Sequence, residues 1–391
     1  MINIAKFFLW LFVIYISWYC EVYDDNILIL YSTIAISMVC ILADVISSKH
    51  RTKDLFSGPV KVLSLFGVYS LVSGIAICGF DEHFLNSMLS FLCTLVVCFD
   101  TCYISFRERS TKWLWLIFAS AALLCSYQAI FHGVQWNNGH VMVVALSEFN
   151  NPNTLATYLL IGFISVLLLG EKTLKKNAII VILCLAVLSY AIVLTGSRKC
   201  ILAIGALFMM WVYSFLRDKK NNTKLLKILL TAVVAVAVVF VVINFSDTAA
   251  YERFDAGKDE DITDNMRYLM YVEAFNFWQE SPLFGIGYNQ FATRSFFEGY
   301  SHSTYAESLS CTGIIGFLIL LIPSIVGLWY LIKKTRNNRQ TVYFYEYSIC
   351  LAVVIILFFL AVGSILYYQI PSAILISNLF VHLKYIENSE I

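Results

Sequence analysis

The feature that most constrains this chain is a succession of apolar runs, each roughly as long as a lipid bilayer requires. A hydrocarbon core about 30 Å thick takes about 20 residues of helix. In lipid the backbone polar groups must be satisfied within the protein, so such runs fold as helices. About twelve runs can be marked, at 4–20, 26–46, 60–80, 84–106, 113–133, 153–170, 178–195, 200–216, 225–245, 312–332, 342–366 and 369–386. The expected fold class is all-α, a polytopic membrane helical bundle of about 12 transmembrane helices. Residues 1–391 are read as one integral membrane domain. The first run carries no small-residue cleavage site and leads directly into another span, so it reads as a signal anchor.

Composition excludes the main alternatives. Hydrophobic residues make up 60% of the chain and charged residues 14%, against about 45–50% and about 25% in soluble domains. Mean hydropathy is +0.76. A soluble enzyme, a disordered protein and a nucleic-acid binder are all incompatible with these values. The 11 cysteines lie mostly inside apolar runs and form no CxxC pair. They read as small apolar packing residues rather than as a metal or disulfide framework.

Charge orients the spans. With the N-terminus inside, the inner loops and ends hold all but six of the 27 basic residues. The exceptions are Arg198, Lys199, Arg253, Lys258, Arg267 and Arg294. By the positive-inside bias, both termini are cytoplasmic. One outer loop, 246–311, is long; the other sizeable outer segment is 134–152. Long loops inside compact domains are commonly functional. Within this one, Met266, Leu269, Met270, Ala274, Phe277 and Trp278 recur at helical spacing. Asp264 can cap that helix and Ser281-Pro282 ends it. An amphipathic helix lying on or near the outer membrane face is expected.

Because cations are depleted outside, each outer one asks for a reason. Arg198 lies in Leu194-Thr195-Gly196-Ser197-Arg198-Lys199, a hairpin between two spans. Its guanidinium can grip a phosphate in bidentate fashion, or it can be a solvated turn residue or a headgroup anchor. Arg267 opens the loop helix, and Arg253 and Arg294 lie in the same loop. His302, in Ser301-His302-Ser303-Thr304-Tyr305, can act as a general base toward a hydroxyl, or can be an exposed loop histidine. Tyr288, Phe291, Tyr300 and Tyr305 can stack on sugar rings or serve as core and interfacial residues. Gly285-Ile286-Gly287 is a turn rather than a dinucleotide fingerprint, since no strand precedes it and no third glycine follows in register. The acidic run 255–264 can attract cations only nonspecifically. The spans hold few ionisable groups, with Asp44, Asp100 and Glu346 near cytoplasmic ends. That pattern argues against an ion-coupled transporter.

Taken in order, these outer segments are similar to a known family. Thr195-Gly196-Ser197-Arg198 closes a helical hairpin. Arg267 and the Trp278 helix follow, then Ser281-Pro282-Leu283-Phe284-Gly285-Ile286-Gly287-Tyr288-Asn289-Gln290-Phe291. His302-Ser303-Thr304-Tyr305 leads through Glu307 to Gly313-Ile314-Ile315-Gly316, and Asn151-Pro152-Asn153 precedes the sixth span. The set, from about 150 to 330, resembles the O-antigen ligase and polymerase superfamily. Ser303 stands where many members have asparagine.

The resemblance implies a glycosyltransferase at the outer face of the bacterial cytoplasmic membrane. Its donor is an oligosaccharide on undecaprenyl diphosphate and its acceptor a glycan. No cofactor, metal or nucleic acid is implied. Arg198 and Arg267 would hold the diphosphate and His302 would activate the acceptor. Arg253, Arg294, Tyr288 and Tyr305 would help bind substrate. A repeat-unit polymerase is preferred, working among membrane lipids and with a chain-length regulator as a further partner. The alternatives are a ligase that moves finished glycan onto lipid A core, and a transporter or flippase for the lipid-linked glycan.

Overall fold

The computed structural model describes residues 1–19, 27–48, 57–137, 142–145, 151–169, 177–217, 266–339, 341, 343–364, 366 and 369–388. The expected span at 225–245 and the first part of the long loop, with Arg253, Lys258 and Asp264, lie outside these residues.

The described chain is a helical bundle. Helices α1 (Ile2–Tyr19), α2 (Ile27–Ser48), α3 (Gly58–Cys78), α4 (Glu82–Glu108) and α5 (Lys112–His132) come first. They are followed by α6 (Pro152–Leu168), α7 (Ala178–Leu194) and α8 (Arg198–Arg217). After the long loop come α9 (Met266–Glu280), the single turn α10 (Phe291–Arg294), α11 (Thr304–Asn337), α12 (Phe344–Val362) and α13 (Ile370–Asn388). Six helices are long and apolar enough to cross a membrane: Ile29–Ser47, Gly58–Cys78, Glu82–Glu108, Lys112–His132, Thr304–Asn337 and Phe344–Val362. Ile2–Ser17, Pro152–Leu168, Ile179–Leu194 and Ile370–Ile386 are shorter apolar helices in the same bundle.

The centre is α6. It is buried on every side, as expected of a helix that is apolar all round. A Cβ added at Gly162 would come within 2.1 Å of the Ala122 methyl on α5, so these two helices approach almost backbone to backbone. The start of α6 explains Asn151-Pro152-Asn153 locally. Asn151 caps the helix by accepting the Asn153 amide at 2.9 Å, and Pro152 occupies the first turn, where its missing N–H costs nothing.

Polar contacts fix neighbouring helices elsewhere. Asp44 accepts from Tyr103 at 2.7 Å and lies 3.5 Å from Arg107. Asn378 of α13 bonds Ser105 and Thr101 of α4 at 3.0 and 2.9 Å. Asp100, expected near a cytoplasmic end of its span, is shielded from water. It is 1% exposed and accepts a hydrogen bond from Ser37 at 2.8 Å, because α2 and α4 pack closely there.

One expectation needs correction, and the helical bundle carries one small addition. An antiparallel hairpin, β1 (Val134–Asn137) and β2 (Met142–Ala145), follows α5, with Val134 opposite Ala145 and Asn137 opposite Met142. The loop helix α9 is not amphipathic. Met270, Ala274 and Phe277 are buried, but Met266, Tyr268, Leu269, Val272 and Phe275 are exposed, so apolar side chains occupy more than one face.

The span expected at 312–332 starts earlier. Helix α11 begins at Thr304 and breaks at Gly313, whose φ of 63° and ψ of −173° are not helical. The break has a partner. Ile314 N donates to Pro282 O at 2.9 Å, while Ile286 N and Gly287 N donate to Ser310 O and Cys311 O at 2.9 and 3.0 Å. A Cβ at Gly313 would meet Leu283 O at 2.3 Å. The Gly285-Ile286-Gly287 turn is therefore backbone laid into a broken helix, with glycine required where the two chains touch.

Candidate active site

The site elements gather at one end of the bundle. The beginning of α4 meets the 281–291 loop there: His83 Nε2 is 3.0 Å from Asn289 O, and Asn289 donates to Ser87 Oγ at 2.9 Å. The far end of α4 is tied to α1 through Glu108 and Lys6. The site thus lies opposite the end that holds Lys6, Arg107 and Lys112.

Arg198 and Lys199 form the first turn of α8. The preceding turn is built tightly, with Thr195 and Ser197 buried and Gly196 at φ 64°. Thr195 Oγ1 donates to Ile192 O at 2.6 Å, and Ser197 O accepts the first amides of the helix, Cys200 N at 3.1 Å and Ile201 N at 3.0 Å. Two cations at a helix N-terminus work against the helix dipole, whose positive end lies there. The local cost concentrates positive potential at one point, where an anion would also meet backbone N–H groups. Arg198 is exposed. Lys199 turns inward. Its ammonium donates to Gly363 O at 2.9 Å and to Ser364 Oγ, at the C-terminus of α12.

That C-terminus gathers side chains from three other helices. Carbonyls near a helix end lack intrahelical partners. Tyr305 OH donates to Phe358 O and Tyr271 OH to Val362 O, both at 3.1 Å. Thr304 donates to Ser364 O through its amide at 3.0 Å and its hydroxyl at 2.6 Å. The Thr304 hydroxyl accepts Leu366 N at 2.9 Å.

His302 stands two residues before Thr304. Its φ of 58° is in the left-handed region, uncommon for a residue with a side chain and a recurrent feature of functional turns. The turn is braced from both sides. Buried Glu307 accepts Ser301 N at 2.8 Å, Ser303 caps α11, and the Tyr300 ring lies 4.3 Å from the imidazole, tilted by 52°. Burial lowers the His302 pKa from its ordinary 6.5 to about 4, assisted by the positive charges of Arg267 and Lys199. Its imidazole is neutral at neutral pH and able to accept a proton, in a setting prepared for an anion.

The other residues singled out in the sequence separate. Arg267, in the first turn of α9, joins His302 and Lys199 electrostatically. Arg294 pairs with Glu280 at 2.6 Å, its guanidinium 5.1 Å from the centre of the Phe277 ring. Tyr288 is 2% exposed, with its ring against Phe66 and Phe91. It fills the core and offers no face to a sugar. Tyr305 is half-buried and engaged with α12. Glu273 clamps the 295–297 turn, accepting Ser295 Oγ at 2.5 Å and Phe296 N at 2.9 Å. Among the described residues, no group of three His, Cys, Asp or Glu side chains could hold a metal ion. Lys199 and Glu307 are the members of this constellation that the sequence reading left without a role. Only Lys199 had a local signal, its place among the outer cations.

The fold and this site define a polytopic helical membrane protein with a cationic, histidine-bearing site at one end of the bundle. Residues 182–321, from within α7 to the middle of α11, match the family model described as O-Antigen ligase. Over that stretch the chain is similar to the O-antigen ligase family. The matched stretch contains Arg198, Arg267 and His302. No curated protein matches the chain.

Proposed function

We propose that this protein is a metal-independent glycosyltransferase of the bacterial cytoplasmic membrane that polymerises oligosaccharide repeat units carried on undecaprenyl diphosphate. The bundle spans the membrane about twelve times, both termini are cytoplasmic, and the site faces outward. What supports this reading is the hydrogen-bonded chain from Lys199, beside Arg198, through Ser364 to Thr304, two residues from His302. It occurs at the end of the bundle opposite the excess of Lys and Arg.

ATP is not supplied outside the membrane, so the energy must arrive with the substrate. A glycosyl diphosphate brings its own leaving group. His302 takes the proton of an acceptor hydroxyl, and that oxygen attacks the anomeric carbon of the donor sugar. The bond from that carbon to the diphosphate oxygen breaks, and the carrier diphosphate leaves with the electron pair. Arg198 and Arg267 stabilise the charge that builds on it. A cavity of about 540 Å³ between α3, α11, α12 and α13 begins at Thr304 and Tyr305 and continues past Pro323 to Tyr330. Its mostly apolar wall suits the hydrocarbon tail of the carrier.

The description of the matching family favours a second reading, a ligase that delivers finished glycan to lipid A core. A glycan gel of cells with the gene deleted and restored separates the two. Core bearing one repeat unit without a ladder supports the polymerase. Bare core with polymer left on its lipid carrier supports the ligase. An unchanged profile, together with glycan transport by vesicles carrying the protein, supports a lipid-linked glycan transporter instead.

A further inference from the structure

We propose that Lys199 is a positioning residue that ties the His302 turn to the end of α12 and holds the imidazole in a fixed pose. This rests on the reading of His302 as general base. The connection is continuous. Lys199 Nζ holds Gly363 O and Ser364 Oγ, Ser364 O holds the Thr304 amide and hydroxyl, and Thr304 is two residues from His302. The ammonium leaves the positive end of α8, where it is unwelcome, and settles at the negative end of α12, where a cation is favoured. One side chain thereby fixes the arginine-bearing turn of α8, the α12–α13 connection and the histidine turn in a single arrangement.

Lys199 also acts on His302 through its charge. The charges that act on the imidazole are those of Arg267 on α9 and Lys199 on α8, the Tyr300 ring lies beside it, and Glu307 holds its turn through Ser301 N, while Tyr271 and Tyr305 are bonded to carbonyls of α12. Arg267 and Lys199 both disfavour a proton on His302. Removing Lys199 therefore has two separable effects: the turn loosens, and protonation becomes easier.

The test uses membranes of the source cells, which carry their own lipid-linked glycan, with full-length variants replacing the parent protein. Lys199→Met is expected to lower turnover at neutral pH about tenfold or more, since small misplacements of a catalytic group are costly. Its membrane abundance should stay near the parent level. Its acid limb in kcat/KM should move up by about half a pH unit, because a like charge has gone. Lys199→Arg should keep the limb at its parent position. Thr304→Val should lose turnover without moving the limb, because it removes both hydroxyl bonds of the tether, leaving only the amide, and removes no charge.

Parent-like turnover in Lys199→Met overturns the proposal. An unmoved limb in an abundant Lys199→Met overturns its electrostatic half. If Lys199→Met does not accumulate, Thr304→Val decides the tether, and parent-like turnover there overturns it. His302→Ala is measured alongside. Activity in that variant would remove the general-base reading itself, whereas an inactive His302→Ala beside a normal Lys199→Met removes only the role of Lys199.

Discussion

The contact between α5 and α6 and the junction of α8, α9, α11 and α12 hold helices together by different means. At the first, Gly162 meets Ala122 and almost every side chain of α6 is buried and apolar. At the second, tyrosine, threonine and lysine side chains reach carbonyls at or near the end of α12. In lipid the hydrophobic effect gives little reason for apolar helices to prefer each other over lipid tails. Close packing of small residues and interhelical hydrogen bonds supply the preference instead. The molecule uses close packing where it needs a rigid mass and hydrogen bonds where it needs a defined geometry. Substitutions at the first contact should therefore cost accumulation, and those at the second should cost turnover.

The largest effect should come from His302→Ala. Loss of a general base lowers rates by about 10²–10⁴-fold, with membrane abundance unchanged on an immunoblot. A normal glycan ladder would end the assignment. Arg198→Lys comes next, at about ten- to a hundredfold in turnover, because an ammonium lacks the bidentate fork. Near-normal product there would reduce Arg198 to a simple point charge. Gly162→Ala tests the other region. Its methyl has nowhere to go, and overpacking costs about 1–3 kcal/mol, read as a lower melting temperature in detergent with turnover per folded molecule preserved.

A pH series sharpens the site side. With a His302 pKa of about 4, kcat/KM should be flat from neutral pH down to about 5 and fall as pH drops through about 4. A bound diphosphate offsets the cations and raises the imidazole pKa, so the acid limb of kcat should lie above that of kcat/KM. Coincident limbs would show that no anion approaches His302. The same lowered pKa makes the unfolded chain the stronger proton binder between about 4 and 6.5. The stability it contributes is present above 6.5 and is lost as pH falls through about 4. The smallest effect should be that of Arg294→Ala, which breaks an exposed pair with Glu280 worth about 0.2–1 kcal/mol. A loss of product comparable to that of Arg198→Lys would instead return Arg294 to substrate binding.

The long helices were legible because twenty apolar residues in a row admit few structures. What was missed lay where that rule is silent. Residues 304–312 hold Glu307, Ser308, Ser310 and Thr312, and hydropathy reads such a stretch as loop. The helix satisfies the hydroxyls itself: Ser310 and Thr312 donate to its own carbonyls at Glu307 and Ser308, and Glu307 accepts Ser301 N. The hairpin had a signal, Asn138-Gly139 between two short apolar segments, which a search for long runs passes over. Arg198, Arg267 and His302 stood out as scarce polar residues on one side, and helical spacing gave α9 its existence but not its second apolar face. The partner of Lys199 lies 164 residues further along the chain, and no local pattern reports a contact of that kind.

The same long separations bear on when the protein becomes active during its own synthesis. Tyr69 OH holds Thr312 O at 2.7 Å across 243 residues, and Lys199 waits for Gly363 across 164. A nascent chain inserted only through α11 already carries Arg198, Arg267 and His302, and its 281–291 loop can dock on α11, but the Lys199 contact that ties the turn of α8 to the histidine turn waits for the end of α12. A half-inserted chain therefore lacks one of the links that hold the candidate site in its final arrangement.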